Sequence, residues 1–159
     1  MIWKALERYR DHGLLVLRVG FGLGFIWYHG WGKITGGPER WAALGGSMEY
    51  LGITFAPVFW GLMASMAETV GALCIVLGLF FRPAALVLAF VMVMATVNHH
   101  VTGQGTPAHS FKNIWLFVGL MAIGPGRFSL DHIRERRRAA KHGADSTAPS
   151  ADPEVGARP

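Results

Sequence analysis

Arg18 and Glu68 are the only charged residue types lying deep within the long apolar stretches of this 159-residue chain. An unpaired charge at that depth costs at least about 2.5–3.5 kcal/mol even on insertion scales. Two chemistries suit the two side chains: a mutual ion pair, or proton exchange by a Glu68 that removal from water keeps neutral. Nearer the ends of the same stretches stand His29 and Lys33, in "FIWYHGWGKITGG", and Asn98, His99 and His100, in "TVNHH". Imidazoles, an amide and an ammonium inside an apolar surround are the groups that orient a small ligand and move its protons.

Helical spacing brings these groups together. Arg18 and His29 are separated by about 20° of rotation on a helix, so Arg18, Gly22, Phe25 and His29 form one stripe. With the first two spans centred on Gly22 and Glu68, Arg18 lies about 6 Å to one side of the midplane, within reach of Glu68. His29 lies about 10 Å to the other side, level with His99 when the third span is centred on Met92, and Lys33 is one turn above it. The expected site is a vestibule with His29 and Lys33 at its mouth. His99 or His100 stands opposite with Asn98 beside them, and an Arg18–Glu68 pair forms the floor. A structural ion pair and ordinary interfacial histidines account for the same residues. No metal site is expected, because no carboxylate or thiolate has a companion at ligand spacing. Haem between His29 and a span-three histidine fits the depths but is not expected, helix-end histidines being far commoner than haem ligands.

The elements that must hold these groups are four apolar stretches: Gly13 to Trp31, Phe55 to Phe81, Pro83 to Val101, and Ile114 to Gly126. A spanning helix needs about 20 apolar residues, so the fourth qualifies only if it begins at Phe111 and Lys112 snorkels. Hydrophobic residues make up 52% and charged residues 16% of the chain, a balance that favours a bilayer over water. The expected fold is all-α, an integral membrane four-helix bundle over residues 13–130. A short interfacial helix would precede it at 1–12, a basic juxtamembrane helix would follow at 131–142, and a disordered tail at 143–159. The basic lead before the first span lacks a cleavage pattern and reads as a retained anchor.

Small residues mark expected helix contacts: Gly20 and Gly24 as a GxxxG, and Gly61, Ala64, Gly71 and Ala72 around Glu68 on span two. Pro83 suits the start of a helix, Gly124 and Pro125 the end of one, and Ser129 or Asp131 a cap for the next. Basic residues cluster on the side of the termini, which places both termini in the cytoplasm of a bacterial inner membrane. The run "RERRRAAKH" then reads as an anchor for anionic lipid headgroups, and nucleic acid is not needed to explain the net charge of +5. The single cysteine, Cys74, excludes an internal disulfide and reads as packing.

The segments "LRVGFGLGFIWYHGWGK", "AETVGALCIVLGLFFRPAA", "NHH" and "GPGRFSLD" together resemble the DoxX family of small four-span bacterial membrane proteins, over roughly residues 13 to 132. The resemblance implies a four-helix membrane bundle with a loose redox association, some relatives being subunits of a thiosulfate:quinone oxidoreductase. It carries Arg18, His29, Lys33, Glu68 and His99 over as the polar core. With no flavin motif or cysteine pair in the chain, a bound quinone or a partner subunit must supply any electron chemistry. The resulting expectation is a membrane protein that binds a quinone or similar redox-active molecule. His29 or His99 would bond a quinone oxygen, Glu68 would exchange protons, Arg18 would set the charge of Glu68, and Lys33 would draw in an anionic co-substrate. A small-solute transporter, with a dimer supplying further helices, and a non-catalytic scaffold are the alternative classes.

Overall fold

In the computed structural model, residues 7–146 are described, with side chains through residue 142. The expected interfacial helix at 1–12 lies half outside those residues; of the tail expected at 143–159, residues 143–146 continue the helix Leu130–Ser146 and the rest lies outside them. Among the described residues the chain is helical with no strand. The order is α1 Arg10–Ile34, α2 Gly37–Gly45 with a 3-10 turn over Gly46–Leu51, α3 Pro57–Leu77, α4 Phe81–Thr102, α5 Pro107–Ile123 and α6 Leu130–Ser146. Three of them, α1, α3 and α4, are long and apolar enough to cross a membrane. Phe25, Ile75, Leu88, Met92, Phe117 and Leu120 pack where α1, α3, α4 and α5 meet. Val16, Leu23, Leu73, Leu86 and Phe90 face outward, while Arg18, Ser65, Glu68 and Asn113 are buried. Apolar outside and polar within is the arrangement a hydrocarbon solvent selects.

Two helices each contain a π-turn, Ile26–Gly30 in α1 and Ala67–Gly71 in α3. A π-turn lets one extra residue into the helix, frees a carbonyl from its usual partner and turns everything after it by roughly 100°. In α3 the Thr69 hydroxyl donates to the Ser65 carbonyl at 2.8 Å, the back-bonding that helps a helix depart from its regular ladder. The π-turns lie against each other at Gly30, where an added Cβ would stand 2.8 Å from Thr69 Oγ1 and 3.1 Å from the Glu68 carbonyl. Only glycine allows that approach.

The expected alignment of span centres is not observed. Glu68 is level with Gly30, about 12 Å further along α1 than the expected Gly22. The cause is α2, which packs on the first turns of α3 with Gly45 against Pro57 and Gly61 against Trp41. Trp41 Nε1 also donates to the Lys33 carbonyl at 2.9 Å, closing the end of α1. Gly61 therefore serves α2. Gly20 and Gly24 do not mark a helix contact either, since a Cβ at each would meet nothing within 4 Å.

At the opposite end the segment after α5 is tied down from several directions. Arg18 Nη1 donates to the Pro125 carbonyl at 2.6 Å and Nη2 to the Phe128 carbonyl. Ser129 caps α6 by accepting the His132 N–H at 3.1 Å. Asp131 reaches back to another helix instead. Its carboxylate accepts the N–H groups of Phe80 at 3.0 Å and Phe81 at 2.9 Å, at the start of α4. Phe80 holds a positive φ of 45°, strained for a bulky residue and held there by that carboxylate.

Candidate functional site

The expected Arg18–Glu68 pair is not formed. Lys33 holds Glu68 instead, its Nζ donating to both carboxylate oxygens at 2.6 Å. Glu68 is 1% exposed and Lys33 20% exposed at the side chain. The stagger set by α2 carries Glu68 away from Arg18, and the π-turn in α1 swings Lys33 toward it. Without the extra residue Lys33 would point about 80° away from the Phe25 direction. With it, the buried face of α1 runs from Phe25 to Gly30 and on to Lys33.

Beside this pair a cavity of about 670 Å³ lies between α1, α4 and α5. Its polar end is lined by Lys33, His29, His99, Thr106 and His109. Its other end, roughly two turns further along α1, is lined by Gly20, Phe21, Gly24, Phe25 and Met92, with the Asn113 amide against the Met92 sulfur. Gly20 and Gly24 make room there by having no side chain.

His29 and His109 stack with ring centroids 4.9 Å apart, and their Nε2 atoms are 3.0 Å apart. At that distance one imidazole donates and the other accepts, so the pair shares one proton and a doubly charged pair has no acceptor. His99 donates from Nδ1 to the Gln104 carbonyl at 2.6 Å. In the neutral ring this leaves Nε2 a bare acceptor. Gly105 seats the ring, because a Cβ there would stand 2.5 Å from His99 Nδ1. Ser110 is buried and joins Thr96 at 2.9 Å.

Of the residues expected at the site, His29, Lys33 and His99 line the cavity, and Glu68 lies behind Lys33. Arg18, His100 and Asn98 do not line it. Arg18 is about 22 Å from Lys33 along the helix and holds the segment after α5. His100 is exposed on the far face of α4. The Asn98 side chain accepts from the Tyr50 hydroxyl at 3.4 Å. Lys33, occupied by Glu68, is not a free charge at the mouth.

His109, Ser110 and Asn113 belong to the cavity without having been expected there. Their signal is the dipeptide Thr106-Pro107, an N-cap followed by proline at the first helical position. It starts α5 four residues before Phe111 and sets Ser110, Asn113, Phe117 and Leu120 on one buried stripe.

An all-helical membrane protein with a buried ion pair behind a cavity that is polar at one end and apolar at the other is the class these features define. The chain belongs to the DoxX family, whose model matches residues 13–101. It is 31% identical over 137 residues to inner membrane protein YqjF of Escherichia coli, covering 83% of this chain and 99% of that protein. It is 36% identical over 135 residues to an uncharacterized protein of Haemophilus influenzae, covering 80% of this chain and 94% of that one. No solved structure matches the chain.

Proposed function

We propose that this chain is a multi-pass inner-membrane protein that binds a quinone, or a redox-active molecule of the same shape, in the cavity between α1, α4 and α5. In this reading α5 is a fourth span, its 17 residues completed by the flanking turns, and α1, α3, α4 and α5 form a transmembrane bundle. The inner membrane is where the E. coli relative belongs by its name. Both termini lie in the cytoplasm, as the arginines at the α6 end favour.

The observation that carries the reading is the gradient within the cavity, with imidazoles and an ammonium at one end and Gly20, Gly24, Phe21 and Phe25 at the other. A quinone has the same polarity, a ring with two carbonyls and an apolar tail. One ring carbonyl accepts from the His29–His109 pair, the other lies on the His99 side, where it is bonded only once reduced to a hydroxyl, and the tail lies along the glycines. Reduction to quinol takes up two electrons and two protons. The electrons come from a redox centre of a partner subunit, as the resemblance implies. This chain passes on two protons taken up from water: a singly protonated His29–His109 pair gives one and becomes a neutral pair, and the Lys33–Glu68 pair behind it gives the other and is reprotonated in turn. In the reverse direction a quinol hydroxyl donates to His99 Nε2, the ring nitrogen not bonded to the Gln104 carbonyl.

The test is titration of the purified protein in mild detergent with a short-chain ubiquinone, followed through tryptophan fluorescence. Saturable quenching is expected, with the Kd raised by about tenfold or more in the His29→Ala, His109→Ala double variant. An unchanged Kd in that variant, with its helicity intact, removes the reading.

A further inference from the structure

A second recess, of about 770 Å³, lies at the other end of the molecule between the starts of α4 and α6 and the segment that joins α5 to α6. Four arginines from three parts of the chain line it: Arg82 of α4, Arg127 of the joining segment, and Arg134 and Arg138 one turn apart on α6. Three carboxylates line it too, those of Asp11, Asp131 and Glu135. Two of them are already committed to backbone. Asp131 accepts the N–H groups of Phe80 and Phe81, and Asp11 accepts the N–H of Arg127 at 3.2 Å. Among the described residues the one ion pair is Lys33–Glu68, so none of the four guanidinium groups has a carboxylate partner there. The aspartates build the walls and leave the arginine donors facing the recess.

The surroundings say what kind of anion belongs there. The recess sits at the end of apolar helices rather than on a water-facing domain. Phe80 lines it and is exposed, and Phe128, Leu130 and Ile133, also exposed, belong to the joining segment and the first turn of α6 that border it in sequence. The Arg134 guanidinium lies 5.6 Å above the Phe80 ring, which holds it at the rim. A soluble anion has no use for an apolar collar, whereas a phospholipid has a phosphate for the guanidinium forks and acyl chains for the collar.

We propose that this recess binds the phosphodiester headgroup of an anionic phospholipid from the surrounding bilayer. The full chain, purified in mild detergent, is to be followed by native mass spectrometry in the presence of phosphatidylglycerol, phosphatidylcholine or inorganic phosphate. The expected result is one retained phosphatidylglycerol, no retained phosphatidylcholine, and no displacement by inorganic phosphate. Occupancy falls by about tenfold or more in Arg82→Gln, Arg138→Gln, and stays within about twofold in Arg136→Gln, Arg137→Gln. The second pair removes the same charge from the same basic end but lies outside the recess. Equal losses in the two double variants would mean unspecific attraction to a basic helix. Retention of phosphatidylcholine, or displacement by inorganic phosphate, would equally overturn the proposal. Arg138→Gln alone, at an exposed helix position, gives the same contrast on a smaller scale should the double variant unfold.

Discussion

Lys33 and Glu68 hold each other by two short hydrogen bonds in a place where the carboxyl group has almost no access to water. Breaking a buried pair by removing one partner costs about 3–5 kcal/mol, whereas replacing both with apolar groups of similar shape is often neutral. Lys33→Met and Glu68→Leu are therefore each expected to lower unfolding stability in detergent by about 3 kcal/mol or more, and the double variant to recover most of the loss. Denaturant melts of the three variants check this, and additive losses in the double variant would show that the two residues act separately. Arg18 carries its charge differently. It spends Nη1 and Nη2 on two main-chain carbonyls, and its Nε has no hydrogen-bond partner. The inward direction of Glu68 was legible from the small residues around it on α3. Its partner was not, because aligned span centres put Arg18 about 6 Å from its level and Lys33 about 16 Å, and only the actual stagger between α1 and α3 reverses that order.

That stagger belongs to the elements. The apolar stretches were readable as helices, and the residues at which they begin and end move by a few positions: α1 runs Arg10–Ile34 and α5 begins at Pro107 rather than Phe111. What periodicity misses is a change of phase inside a helix. A stripe drawn at 3.6 residues per turn passes through Arg18, Gly22 and Phe25 correctly, and then the π-turn at Ile26–Gly30 redirects it to Gly30 and Lys33. Nothing in the composition of "IWYHG" announces the extra residue. Its partner on α3 is the back-bonded Thr69, and the two turns meet at Gly30. Gly30→Leu is accordingly expected to push α1 and α3 apart, separate Lys33 from Glu68, and cost about 3 kcal/mol or more, since backbone stands where the side chain must go. Gly32→Leu, two residues on and with open space at its Cβ, is the control and should change stability by no more than about 0.5–1 kcal/mol. Similar melting for the two variants would mean that the π-turns are not in close contact.

For the molecule as a whole, the division of labour follows its ends. One end gathers imidazoles, an ion pair and a cavity from α1, α3, α4 and α5. The other gathers arginines around a segment held by Arg18, Asp11 and Asp131. The first was half legible, with His29, Lys33 and His99 placed at the cavity by spacing and His109 hidden in a stretch that reads as loop. The glycines at 20 and 24 have the spacing of a packing motif and instead leave the apolar end of the cavity open. That openness gives the most direct test of the account. Gly24→Phe puts a ring into the tail end of the cavity from a position with open space at its Cβ, nothing standing within 4 Å of it. Quinone per mole of protein is to be measured by mass spectrometry of solvent extracts from wild type and Gly24→Phe, both purified in mild detergent. The account predicts near-stoichiometric quinone in the wild type and at least about a tenfold drop in the variant. Absence of quinone from the wild type, or equal amounts in both, would contradict it.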